Sequence, residues 1–178
     1  MREYAATALS LTVAVLATAA AAENRPAPQE IILGQSCALR GSAEALGTGM
    51  RDGSEAALAE VNAKGGIHGR KVRLISRDDG YEPKRAIENT RKLLNDDKVF
   101  CLIGEVGTAT SQAVVPIVEE GKVPFFGPFT GAEFLRNPFK KYVVNVRASY
   151  YQEMERLAAY LLDEKKFEKV ACLYQNDG

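Results

Sequence analysis

The stretch GEVGTATS, residues 104 to 111, places small hydroxyl residues between an apolar run and a helical one. It follows VFCLI and precedes QAVVPIVEE, so the chain passes from a buried strand into a helix through glycine, threonine and serine. A strand that ends at the start of a helix directs free backbone N–H groups and the positive helix end at one spot. Because no lysine is present to reach a phosphate, the stretch predicts a cradle for a small anion and not a P-loop.

Two further loops have the same composition. CALRGSAEALG follows the first apolar run and GPFTGAE follows the fourth. In open parallel sheets, ligands bind at the carboxyl ends of the strands, where the strand order reverses. Each loop alone also fits ordinary turn chemistry, but recurrence at three strand ends favours a site. We therefore predict a neutral, hydroxyl-lined pocket in which Thr108, Thr130 and free N–H groups hold a carboxylate.

Catalytic and metal-binding alternatives have little support in the sequence. His68 is the single histidine and lies in the turn GGIHGR, where we expect it to be exposed to solvent. No G-x-S-x-G elbow is present, and nothing combines a nucleophile, a base and an orienting group. Asp78 and Asp79 could bind a cation, but their place at a strand end before Gly80 favours a capping or solvent-facing role. We predict neither an enzyme nor a metal site.

Three glycines in the first helical segment resemble a dinucleotide fingerprint. Gly47, Gly49 and Gly53 lie inside the helical pattern, however, and the third comes one position late. We interpret them as small residues that pack a helix against the sheet, and we predict no cofactor. An NAD-dependent enzyme would also need an acidic residue at the end of the second strand, a condition that Asp78 or Asp79 meets.

Apolar runs of strand length alternate with segments of helical period, which predicts an α/β fold with an open, mostly parallel sheet and helices on both faces. A capping box, Thr130-x-x-Glu133, predicts a short helical turn after the fourth strand, and Ser149-x-x-Gln152 predicts the start of the last helix. The predicted strands are 30–39, 71–79, 99–104, 123–128, 142–147 and 169–178, and the predicted helices are 44–63, 82–95, 112–121 and 149–166.

The first 22 residues have the composition of a secretory signal peptide. A charged start at Arg2 precedes an apolar stretch and the small-residue pattern Ala20-Ala21-Ala22, so we predict cleavage near Ala22 and export. An uncleaved membrane anchor is the alternative, but the apolar run is short for a spanning helix. Lys plus Arg and Asp plus Glu both number 23, which argues against a nucleic-acid partner.

The three cysteines have no metal-ligand spacing. Cys37, Cys101 and Cys172 each lie in or beside an apolar run, and their number is odd. We predict that they are buried small hydrophobic residues and not parts of a disulfide framework.

With these segments in hand, the chain resembles the branched-chain amino acid binding proteins of the type I periplasmic binding fold, the receptors of ABC importers. The residues that carry the resemblance are NAKGGIHGRKVRLISRDDGYEPKRAIENTRKLLNDDKV, GEVGTATSQAVVPIVEEGKVP and GPFTGAEFL. The resemblance implies two α/β lobes that close on a small solute like a hinge. It covers residues from about 30 to the end.

The resemblance implies a set of ligand contacts for an amino acid or a related carboxylate. The α-carboxylate and ammonium group would meet Thr108, the backbone of Ala109 and Phe129, and the hydroxyl of Thr130. The segment from Ser42 to Leu46 would line the side-chain end of the site. The partners implied are this small-molecule ligand and a membrane permease, in the periplasm.

The resemblance also implies a domain organisation. Residues 30–146 would form the first lobe, residues 146–150 the first hinge crossing, and residues 150–178 the start of a second lobe. Because the strand–helix pattern stops at residue 178, we expect a fragment whose second lobe is incomplete. A ligand-sensing ectodomain of a membrane receptor with the same fold is the alternative function.

Four residues depart from the family pattern. Tyr81 and Gly107 occupy positions where a family member can carry a disulfide, so that link is not expected here. Phe129 is bulkier than the alanine expected at its position, and Leu46 replaces an aromatic residue. Both put a preference for leucine, isoleucine or valine in doubt.

Overall fold

The computed structural model describes residues 30 to 173. The predicted leader, residues 1–22, and the QNDG segment, residues 175–178, lie outside this range. In chain order the elements are β1 (Ile31–Cys37), α1 (Glu44–Ala63), β2 (Val72–Asp78), α2 (Pro83–Asn95), β3 (Cys101–Ile103), α3 (Thr108–Gly121), β4 (Phe125–Phe126), a 3₁₀ turn (Glu133–Leu135), β5 (Val143–Val144), α4 (Tyr150–Ala159) and a π-helical turn (Tyr160–Glu164).

The five strands form one parallel sheet in the order β2-β1-β3-β4-β5. β1 and β2 pair along their whole length, from Ile31 opposite Val72 to Cys37 opposite Asp78. The order of the strands reverses between β1 and β3, so the crevice at which ligands bind in such sheets lies at the ends of these two strands. The predicted open parallel sheet is confirmed.

The core has two layers because successive strand residues point to opposite faces. On one face, α2 and α3 pack their apolar side chains, including Leu93 and Val114, against Leu102 and Phe125. On the other face, α1 covers β1 and β2 through partly buried residues such as Leu58. The predicted arrangement of helices on both faces is therefore confirmed. Among residues 30 to 173, no helix has both the length and the apolarity to cross a bilayer.

Local signals place the helix ends close to the predicted positions. α1 ends before Gly65, whose φ of 98° is the left-handed conformation that glycine adopts without strain. Pro83 opens α2, where its missing N–H costs no hydrogen bond. Ser149 and Gln152 form the predicted capping box: the Gln152 N–H donates to the Ser149 hydroxyl, and the Ser149 N–H donates to the Gln152 side chain.

Two predictions about the loops were wrong. α3 begins at Thr108 and not at residue 112, so the helix includes most of the hydroxyl-rich stretch. The 3₁₀ turn has Ala132 at its N-terminus with no side-chain cap, so the box proposed for Thr130 and Glu133 is absent. The reason is that the Thr130 hydroxyl accepts from the Ala132 N–H and bonds to Thr108 instead.

The sheet is less covered at β4 and β5 than the apolar sequence predicted. Phe126 and Val144 are 43% and 45% exposed, because α1 covers only the β1 and β2 end of their face. The apolar side of α4 is also exposed, as Met154 at 50% shows. No buried residue belongs to α4 in the described chain.

The end of the described chain also departs from prediction. Residues 169 to 173 form no strand, although this run is apolar enough for one. A strand needs a partner for its backbone groups, and the described sheet ends at β5. Cys172 is exposed, whereas Cys37 and Cys101 are buried as predicted; all three are free thiols.

The glycines of α1 divide into two kinds. Gly47 is buried, and a Cβ atom at this position would lie 1.8 Å from the carbonyl oxygen of Ala38. The predicted packing role therefore holds for Gly47. At Gly49 and Gly53 a Cβ would meet nothing within 4 Å, so the prediction was wrong for these two residues.

We expect opposite effects from alanine at these positions. Gly47→Ala forces α1 away from the backbone of Ala38 and should lower the free energy of unfolding by about 1–3 kcal/mol. Gly49→Ala adds a better helix former in open space and should raise it by about 0.5–1 kcal/mol. Urea denaturation of the two variants measures both changes, and equal effects would contradict the close contact at Gly47.

Candidate functional site

The three hydroxyl-rich loops converge at one edge of the sheet. β1, β3 and β4 are adjacent and parallel, so the loops that leave their carboxyl ends lie side by side. Val106 and Phe129 form an isolated parallel bridge beyond the strands, and the Phe129 N–H donates to the Glu105 carbonyl at 2.7 Å. The second and third loops are thus fastened to each other by backbone hydrogen bonds.

The structure brings Thr108 and Thr130 together. Their hydroxyl oxygens are 2.7 Å apart, and both residues are buried, at 5% and 1% exposure. Ala109 follows Thr108 in the first turn of α3 and is partly buried. Because the first N–H groups of a helix have no partner within the helix, this turn has the free donors on which the predicted anion site depends, and the binding itself stays a prediction.

Leu46 and Phe129 lie together in a second part of this region. Both line a groove of about 560 Å³ between α1 and the end of β3, where Ile103 forms part of the wall. Leu46 is 52% exposed and Phe129 is 37% exposed, so each keeps apolar surface available for contact. Ser42 is exposed in the loop after β1 and lines neither this groove nor the threonine pair.

A ring contact holds the loop before α3. Gly107 has a φ of 114°, and a Cβ atom there would lie 2.5 Å from a ring carbon of Tyr81. Only a residue without a side chain permits this approach. The two positions at which a disulfide was not expected are therefore joined by an aromatic ring packed over a glycine.

Two residues that sequence reasoning missed lie beside the threonine pair. The Tyr150 hydroxyl accepts a hydrogen bond from Thr130 at 3.1 Å. The guanidinium of Arg147 lies 5.3 Å from the centre of the Phe129 ring and 5.2 Å from that of Tyr150. Arg147 also pairs with Glu153 through two hydrogen bonds of 2.6 and 2.7 Å. The sequence signal was the position of Tyr150 directly after the Ser149 cap, which fixes the start of α4 against the loop.

Two buried carboxyl groups lie behind the loops. Glu105 is fully buried, and its carboxyl group faces the Ser36 backbone and the Thr90 side chain without a well-aligned hydrogen bond in the described chain. Burial raises the pKa of Glu105 well above its usual value, and the nearby Asp79 raises it further. Of the two roles predicted for Asp79, the solvent-facing one is wrong, because the residue is buried. Its carboxylate has the capping role, since it accepts from the Tyr81 N–H at 2.8 Å, and it also accepts from the Ser36 hydroxyl at 2.7 Å. Burial nevertheless raises the pKa of Asp79.

Asp78 has the capping role that the sequence favoured. Its carboxylate accepts from the N–H groups of Leu39 at 2.8 Å and Gly80 at 3.1 Å, and pairs with Arg40 and Arg85. Desolvation opposes ionisation, but these hydrogen bonds outweigh it and hold the pKa of Asp78 well below its usual value. Asp78 therefore ties the first loop to the end of β2.

Among the described residues, the remaining titratable groups form no catalytic or metal-binding cluster. Burial, followed by the charge of Asp79, raises the pKa of the Cys37 thiol to about 12, so it is not an activated nucleophile. His68 is exposed in its turn, as predicted. In the described part of the chain, no three His, Cys, Asp or Glu residues are grouped so that they could hold a metal ion.

Comparison with known families identifies the family of the chain. A model described as "Periplasmic binding protein" matches residues 30–178. The chain belongs to the periplasmic binding protein family. The predicted resemblance is thus confirmed, and the parallel sheet is that of the type I fold.

Individual relatives agree with this assignment. A Leu/Ile/Val-binding protein homolog of Brucella abortus is 36% identical over 101 residues, which cover 57% of this chain and 27% of the relative. A solved structure of a possible leucine/isoleucine/valine-binding protein from Rhodopirellula baltica is 39% identical, with a TM-score of 0.74, and the match covers 79% of this chain and 38% of that one.

A third relative is named for a different ligand. The fatty acid ABC transporter substrate-binding protein of Thermomonospora curvata is 27% identical, with a TM-score of 0.71, over 81% of this chain and 36% of that one. The relatives named are binding proteins. The chain spans between about a quarter and two fifths of their lengths.

The buried Glu105 predicts a pH-dependent stability. The pKa of Glu105 is higher in the folded chain than in the unfolded chain, where it is about 4.5. The contribution of Glu105 to the free energy of unfolding is therefore fully present below pH 4.5 and declines as the pH rises. Glu105→Gln cannot ionise. Its stability advantage over the parent should be absent near pH 4.5 and should grow above it, by up to about 1.4 kcal/mol per pH unit.

Urea denaturation from pH 4.5 to pH 8 measures this difference. Glu120→Gln, which removes a carboxylate from the exposed side of α3, is the matched control for loss of one negative charge. A Glu105→Gln advantage that does not change with pH would show that Glu105 is not held in its protonated form.

Proposed function

We propose that the protein is an exported solute-binding protein that captures a small amino acid or a related carboxylate for an ABC importer. The observation that carries this proposal is the buried Thr108–Thr130 hydroxyl pair at the N-terminus of α3, in a chain that belongs to the periplasmic binding protein family. Hydroxyl and N–H donors at a helix N-terminus suit a carboxylate. No reaction is part of the proposal.

The ligand class is supported by what the relatives' names share. Leucine, isoleucine, valine and fatty acids all carry a carboxylate and an apolar chain. The site offers the same two features, since donors at Thr108 and Ala109 lie at the strand ends beside the apolar groove of Leu46 and Phe129. In this proposal the carboxylate meets the donors and the apolar chain lies toward Leu46.

The proposed organisation follows the family. Residues 1–22 act as a signal peptide, residues 30–146 form a lobe, residues 146–150 form a crossing, and the chain then enters a second lobe. Delivery to a membrane permease in the periplasm completes the proposed role. The relatives named above include an ABC transporter component, which favours this role over the receptor-ectodomain alternative.

A thermal-shift screen tests the proposed ligand class. The protein as its gene encodes it is heated with leucine, valine, alanine, 4-methylpentanoate, leucinamide or NAD. A ligand present at 100 times its Kd should stabilise the protein by about 2.7 kcal/mol. We expect a shift with one or more of the carboxylates and none with NAD.

Substitution of Thr108 then locates the binding site. Thr108→Val keeps the shape and the backbone N–H but removes the hydroxyl of the Thr108–Thr130 hydrogen bond. Loss of this support for a charge-assisted contact should cost about 1.5–3 kcal/mol, so affinity should fall by about tenfold to a hundredfold. Thr48→Val is the control, because the Thr48 hydroxyl bonds only to the Glu44 carbonyl within α1. A shift with NAD alone, or binding unchanged in Thr108→Val, would overturn the proposed site.

A further inference from the structure

The Thr130 hydroxyl has no hydrogen-bonding capacity left. A threonine hydroxyl has one proton to donate and two lone pairs to accept. Thr130 donates to Tyr150 at 3.1 Å, accepts from the Ala132 N–H at 3.2 Å, and shares a hydrogen bond of 2.7 Å with Thr108. With its proton given to Tyr150, Thr130 must accept from Thr108. A ligand can reach it only by displacing one of these partners.

Tyr150 is the accessible member of this hydroxyl cluster. The residue is 42% exposed, whereas Thr108 and Thr130 are 5% and 1% exposed. Because its oxygen accepts from Thr130, Tyr150 keeps its own O–H proton for another acceptor. The charge-carrying partner nearest to its ring is Arg147, at 5.2 Å. A positively charged neighbour makes a phenol a stronger donor toward an anion.

The position of Tyr150 is fixed on several sides. Its N–H donates to the Gly131 carbonyl at 2.8 Å, and a Cβ atom at Gly131 would lie 2.5 Å from the Tyr150 ring. The Ser149 capping box fixes the first turn of α4, and the Arg147–Glu153 pair holds the guanidinium over the ring. Such packing around a donor is what a preorganised binding group requires.

We propose that the Tyr150 hydroxyl is a ligand contact that selects a carboxylate over an uncharged amide, with Thr130 as the positioning residue that holds it. This inference rests on the proposed function, since it deepens the same site. Thr108 donates to Thr130 and Thr130 donates to Tyr150, so the chain of hydroxyls directs a proton outward. An anionic acceptor strengthens such a chain more than a neutral one does.

The direction of the Tyr150 pKa shift agrees with this role. Burial would raise the pKa of Tyr150, but the hydrogen bonds around its hydroxyl, first among them the one from Thr130, outweigh burial and lower the pKa, with a further contribution from Arg147. The same interactions that stabilise a phenolate also favour the polarised O–H bond of a strong donor. Tyr151, the next residue, is 74% exposed and takes no part in the cluster.

Binding of L-leucine and leucinamide to Tyr150→Phe tests the inference by isothermal titration calorimetry. The variant keeps the ring against Gly131 and removes only the hydroxyl. We expect leucine affinity to fall by about tenfold to a hundredfold, and leucinamide affinity by at most a few fold. Tyr151→Phe, the matched control, should bind both as the parent does.

The outcomes separate the two proposals. If the parent binds leucine and Tyr150→Phe binds it equally well, or loses acid and amide to the same extent, the inference is wrong and the proposed function stands. If the parent binds no carboxylate, the proposed function fails and the inference fails with it. A selective loss of the acid in Tyr150→Phe supports both.

A second measurement does not depend on a ligand. Phenolate absorbance in alkaline titration, taken as the difference between parent and Tyr150→Phe, isolates the ionisation of Tyr150. Thr130→Val should raise the pKa of Tyr150, because it removes a donor to the phenolate. An unchanged titration in Thr130→Val would show that Thr130 does not hold the Tyr150 hydroxyl and would overturn its positioning role.

Discussion

The hydrogen bond between Thr108 and Thr130 depends on nearly every other feature of the fold. It joins two residues 22 positions apart, and it forms only because β3 and β4 are parallel neighbours whose ends lie at one edge. The Phe129–Glu105 backbone bond sets the spacing of the two loops. Tyr150 then fastens the start of α4 to the same point. Sheet order, loop spacing and helix placement therefore meet at one pair of oxygens.

The hydroxyl-rich loops lie over a polar interior that opposes folding. Glu105 and Asp79 are buried close to each other, and the oxygens of Glu105 make no well-aligned hydrogen bond among the described residues. An apolar pair would pack at lower cost, because an unsatisfied buried polar group costs about 1–3 kcal/mol. Burial of Glu105 and Asp79 thus lowers the free energy of unfolding, and the apolar layers around Leu102 and Phe125 offset this cost.

Sequence reasoning succeeded where the signal was local. Turn residues gave the limits of α1 and α2, and alternation of strand and helix gave the parallel sheet. It failed where a residue's partner is distant in sequence: Thr130 bonds to Thr108 and forms no capping box with Glu133, and Asp79 is buried beside Ser36. The apolar composition of the strands also overstated how much of the sheet the helices cover, because an apolar residue such as Phe126 does not show whether a helix packs over it. The six predicted binding residues divide into a donor pair, an apolar pair and two flanking positions, and their roles stay predictions.

The ring of Tyr81 over Gly107 has a consequence for where the site can form. A disulfide at these positions would need an oxidant, and a reducing agent would release the loop. A ring packed on a glycine depends on dispersion and on exclusion of water, which are indifferent to redox potential. The described part of the chain, whose three thiols are free, can therefore reach its folded geometry in a reducing cytoplasm as well as in an oxidising compartment.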